Sequence, residues 1–120
     1  MQFVEINTSE LEGTALDYAV GVCDNVNMLN VYGEPVRCFI PHYSESWLEA
    51  GLIIEREINN LFKHNLPGLK PVWCAVINVP GEYGTMLLQK DGPTPLIAAM
   101  RCYVASKLGD VVKIPQDLLA

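Results

Sequence analysis

Two histidines, four cysteines, one short acidic–basic–acidic run and one isolated arginine hold most of the chemistry open to this chain of 120 residues. His42 and His64 fall in expected loops, and a general base needs a positioned nucleophile that no spacing here supplies. Solvated surface imidazoles are the expectation. Glu55-Arg56-Glu57 pairs two carboxylates that could serve acid–base work or hold a divalent ion. On a helix the two acids diverge by about 200°, whereas in a strand they would share a face. The alternative is a solvated charged face. Arg101 offers a planar fork for a ligand carboxylate or phosphate. Its other reading is a stem that covers apolar surface while the guanidinium pairs with Glu55 or Glu57. Tyr43, Ser44 and Trp47 place two aromatics and a hydroxyl at one loop-to-helix junction. They read either as binding anchors or, for Trp47, as a core plug.

The candidate ligand-binding residues are therefore Tyr43, Ser44, Trp47, Glu55, Arg56, Glu57 and Arg101. No catalytic residue, metal ligand or cofactor is assigned. The phosphate-loop, dinucleotide, zinc-protease and nucleophile-elbow motifs do not occur. Cys23, Cys38, Cys74 and Cys102 form no C-x-x-C pair, and Cys38 with His42 gives only two of the four ligands of a zinc site. With no secretory signal, buried reduced thiols in a reducing cytosol are expected.

Several elements must position these residues. Ser9 and Glu12 read as a capping box for a first helix ending near Gly21 and Asp24-Asn25. Met28 to Tyr32 and Val36 to Ile40, separated by Gly33-Glu34-Pro35, read as a hairpin. Ser46, with Glu49 three residues on, caps a second helix that either continues through Gly51 or divides there. Asn59 to Lys70 reads as a connection, Pro71 to Val79 as a strand buried on both faces, and Tyr83 to Gln89, beyond a Pro80-Gly81 turn, as a second strand candidate weakened by Gly84. Thr94, Pro95 and Gly109 bracket the clearest helix. The tail from Val111 adds an edge strand. The order predicts one small α+β domain over residues 1–120, an antiparallel or mixed sheet with about three helices packed against it.

Composition narrows the function. Half the residues are hydrophobic and 18% are charged, which excludes intrinsic disorder. A net charge of −6 without a Lys/Arg cluster argues against binding a nucleic-acid backbone. No apolar run approaches the length of a membrane span, so no membrane partner is expected. Oligomeric state stays open, since the first helix could pack within one subunit or in a homo-oligomer.

The stretch Gly92-Pro93-Thr94-Pro95-Leu96-Ile97-Ala98-Ala99-Met100-Arg101-Cys102-Tyr103-Val104-Ala105-Ser106-Lys107-Leu108-Gly109-Asp110 resembles the C-terminal signature of the NinX-like family, small proteins of tailed bacteriophages and prophages. Leu11 to Val20, Tyr43 to Trp47 and Gly51 to Glu57 fit the same family in the same order. The chain departs from the pattern at Leu52, where proline tends to follow the glycine, and between Asn59 and Tyr83. The resemblance implies a phage or prophage origin and residence in the bacterial cytosol, and it implies no activity. The expectation is a non-enzymatic accessory protein that binds a host protein or a small metabolite. The alternative is a nucleotide-like ligand pocket that sequesters or hydrolyses its ligand, with Tyr43 and Trp47 stacking on the base and Arg56 or Arg101 meeting the phosphate.

Overall fold

A computed structural model describes residues 2–119. Five strands and three helices form two antiparallel sheets with one apolar core, an α+β fold as predicted. Strand β1 (Phe3–Asn7) pairs with β5 (Val111–Pro115), setting Phe3 opposite Pro115. The second sheet has the order β2 (Asn60–His64), β3 (Val72–Gly81), β4 (Gly84–Gly92). Helix α3 (Pro95–Leu108) lies at the centre, packed on β3 and β4 on one side and reached by α1 (Gly13–Cys23) and α2 (Trp47–Glu57) on another.

Helix α3 forms as its sequence dictates. The Thr94 hydroxyl accepts from the Ile97 N–H, Pro95 fills the first turn and Gly109 closes the helix at φ +88°. Leu96, Ala98, Ala99, Met100, Cys102, Tyr103, Val104 and Ala105 are all buried, more of the circumference than one amphipathic stripe supplies. In β3, Cys74, Ala75, Val76 and Ile77 are buried in succession, so the middle of the strand is covered on both faces. The turn between β3 and β4 is Glu82-Tyr83, with Gly81 opposite Gly84, two residues later than Pro80-Gly81 suggested.

Four expectations are corrected. Ser9 does not cap α1: it lies in a 3-10 turn (Thr8–Glu10) capped by Asn7, and α1 begins at Gly13 with no side-chain cap. Its far end closes as foreseen, with Asn25 in the left-handed region and the Val26 N–H donating to the Gly21 carbonyl. The hairpin over residues 28–40 shrinks to one bridge, Leu29 with Pro35, followed by a 3-10 turn at Arg37–Phe39. The Asn30 side chain accepts from the Tyr32 and Glu34 N–H groups, drawing the backbone into a local turn instead of a ladder. Cys38, expected among buried thiols, sits exposed in that turn, whereas Cys74 and Cys102 are buried and Cys23 is half-buried. The connection at 59–70 contains β2, which places His64 at a strand end rather than in a loop.

Candidate functional site

Helix α2 is positioned by its own cap and by a buried acid on α1. The Ser46 hydroxyl accepts from the Glu49 N–H at 3.4 Å, and the helix runs through Gly51 without a break. Just before it, the Ser44 N–H donates to Asp17 Oδ1 at 2.7 Å, with both residues buried. Burial holds the Asp17 carboxyl above its ordinary value despite that bond. Tyr43 is buried beside them, and burial likewise raises its phenol. Tyr43 and Ser44 therefore serve as anchors of the segment that leads into α2.

The C-terminal end of α2 meets the ends of α1 and α3 in a polar network. Asp24, the cap of α1, accepts from the Tyr103 hydroxyl at 2.7 Å and from Arg56 Nη2 at 2.8 Å. Arg56 also donates to the Tyr103 oxygen at 3.2 Å and lies 3.8 Å from Glu57, while Lys107 reaches Glu57 at 3.2 Å. A carboxylate at a helix C-terminus opposes the helix dipole, and the guanidinium offsets it. The Asp24 contact holds Arg56 still more firmly protonated, and burial together with Asp24 pushes the Tyr103 phenol up. Burial, aided by Asp24, raises the Cys23 thiol to about 11, which leaves it unreactive as a nucleophile at neutral pH.

Arg101 belongs to neither group. It stands two positions from Tyr103, about 200° round the helix. Instead of pairing with Glu55 or Glu57, its Nε donates to the Leu11 carbonyl at 2.7 Å and Nη1 to the Asp91 carbonyl at 3.0 Å. It ties α3 to the segment before α1 and to the end of β4. Of the seven residues singled out from sequence, the structure thus brings Arg56 and Glu57 together, keeps Tyr43 and Ser44 beneath α2, and leaves Trp47 and Glu55 on its surface. Among the described residues, surface clefts of about 250–530 Å³ lie elsewhere, such as those beside Leu11 and Gly13, beside Tyr32 and Glu34, and beside Tyr18 and Leu108, and none of these is lined by any of the seven. Among the described residues, no group of three or more His, Cys, Asp or Glu converges as metal ligands would. No described helix is long and apolar enough to cross a membrane.

What sequence reasoning missed is the outer face of α2. Only Ala50 and Ile53 of this helix are buried, while Leu48 is 90% exposed, Leu52 73% and Trp47 53%. Trp47 is therefore no core plug. Leu48 and Leu52 are four apart and so share a face, a signal available from spacing alone. It was obscured because Trp47, Ile54 and Ile58 also recur at helical intervals. Glu45, Glu49 and Glu55 are exposed around these apolar side chains.

A family model described as "Bacteriophage P22, NinX" matches residues 7–107. No curated protein matches the chain. The matched span runs from the end of β1 to the last turn of α3, taking in the whole of α2 and the polar network. The chain belongs to the bacteriophage P22 NinX family and is a phage accessory protein.

Proposed function

We propose that this phage accessory protein acts without catalysis in the host cytosol, by binding a host protein through the outer face of α2. One observation carries the reading. Leu48 and Leu52, four residues apart, share an exposed face of a helix whose inner face already meets the core, and exposed Trp47 lies in the first turn beside them. Exposed apolar side chains are ordinary when scattered, whereas a cluster with a polar rim marks an interaction surface. Aromatic anchors such as Trp47 are typical of the residues that dominate such contacts.

The nucleotide-like alternative draws less support. The Tyr43 ring is buried, so it cannot receive a base. Arg101 is held by two carbonyls, which take two of its five donors, and Arg56 is bound to Asp24. A phosphate would have to displace a carboxylate already in place. A small metabolite is disfavoured on the same grounds.

Site-directed photo-cross-linking in phage-producing cells tests the reading. A photoreactive residue in place of Leu48 is expected to give one discrete adduct, identified by mass spectrometry. The adduct should be absent when the same residue replaces the exposed loop residue Glu34, and lost when Leu52→Glu is added. No adduct, or equal adducts from both positions, overturns the proposal.

A further inference from the structure

The outer face of α2 has a shape as well as a polarity. At about 100° per residue, Leu48, Leu52 and Glu55 fall within about 60° of one another, and Trp47 and Gly51 form the adjoining row. Two leucines project while Gly51 leaves a notch beside them. Nothing inside the fold calls for that glycine: a Cβ built there meets no atom within 4 Å, and its φ is not positive. Glycine is also a poorer helix former than alanine, so the position weakens α2 without improving its packing. A surface glycine of this kind lets a second backbone come close.

Charge narrows what that second backbone carries. Glu45, Glu49 and Glu55 rim the patch, and its cation, Arg56, is neutralised by Asp24 and Glu57. Two copies of this chain meeting here would set these acids against one another, and anionic lipid or nucleic acid would be repelled likewise. The mid-helix backbone offers no unpaired groups to an incoming strand. A partner helix, by contrast, can seat its side chains between Leu48 and Leu52 and cross closely over Gly51.

Resting on the docking role assigned above to α2, we propose that the occupant is a basic amphipathic helix of the host partner, crossing α2 at Gly51. The test is an NMR titration of the whole chain with a synthetic amphipathic peptide of about 18 residues, with leucine on one face and lysine on the other. Its twins carry glutamate for lysine, or a central proline that breaks the helix. The lysine peptide is expected to shift resonances within residues 45–56, and to bind more weakly as salt rises. Neither twin should do so. Gly51→Leu should weaken binding about tenfold or more while the melting temperature holds or rises. Equal binding by either twin, shifts centred elsewhere, indifference to Gly51→Leu, or a dimer of this chain broken by Leu48→Glu overturns the inference. Failure here is distinct from failure of the function. If the Leu48 cross-link maps to an acidic or extended segment of a partner, the docking role stands and the helix assignment falls. If the peptide binds at α2 but cells give no adduct, the surface chemistry stands and the docking role in the cell falls.

Discussion

Helices α2 and α3 begin alike and end in opposite roles. Each starts at a hydroxyl cap, Ser46 in one and Thr94 in the other, and each carries aliphatic side chains on more than one face. In α3 those side chains are enclosed by β3, β4, α1 and α2, so the fold itself explains nearly every residue. In α2, Leu48 and Leu52 are exposed and Gly51 faces open space, so nothing among the described residues explains them. The contrast separates residues kept for folding from residues available for something else, and it can be tested by breaking each helix in turn.

The largest effect is expected in α3. Met100→Ala removes a fully buried side chain and should cost about 2–5 kcal/mol, whereas Leu48→Ala in α2 should stay within about 0.5 kcal/mol. Urea midpoints at constant slope measure both, and similar losses would erase the distinction. The glycines sharpen it further. A Cβ at Gly92, where β4 turns into α3, would lie 2.7 Å from the Ala98 main-chain nitrogen, so Gly92→Ala should cost about 1–3 kcal/mol. Gly51→Ala meets open space and should stabilise by up to about 1 kcal/mol. Opposite signs in thermal melts are the expected result.

Next in size is the joint between the helices. Tyr103→Phe keeps the ring but removes the hydroxyl bond to Asp24, with an expected loss of about 1 kcal/mol. The smallest effect concerns pH. Because burial raises the folded-state Asp17 carboxyl, the folded chain holds that proton more tightly than the unfolded one. The Asp17 contribution to stability is therefore present below its ordinary value and is lost as pH rises through the raised one. Asp17→Asn keeps an acceptor for the Ser44 N–H without titrating. Its stability should gain on that of the wild type across this window, and melts between about pH 3 and 7 would show it. A parallel pair of curves would mean that the carboxyl is not desolvated as its burial implies.

Local chemistry made much of this legible in advance. Thr94, Pro95 and Gly109 bracket α3, Ser46 starts α2, and the run around Trp73 to Ile77 marks the buried strand, because each signal lies within a few residues of what it specifies. The errors fall where a distant partner decides. Asn60 to His64 becomes a strand only through pairing with Val72 to Val76, and Phe3 to Asn7 only through residues beyond position 110. Asn30 misled for the converse reason, a side chain that outcompetes the ladder. The candidate residues were drawn from polar and aromatic types, and most of them prove to be fastenings. Arg101 grips carbonyls and Arg56 a carboxylate, a distinction that composition and spacing do not contain.

The pairing of β1 with β5 has a temporal consequence. Its two halves stand about a hundred residues apart, so β1 has no mate until about a hundred further residues have been translated. At roughly 5–20 residues per second, that wait lasts about 5–20 seconds on the ribosome. The inner faces of Ile6, Val112 and Ile114 can then be sealed only as a closing act, after α3 and the larger sheet have emerged to receive them.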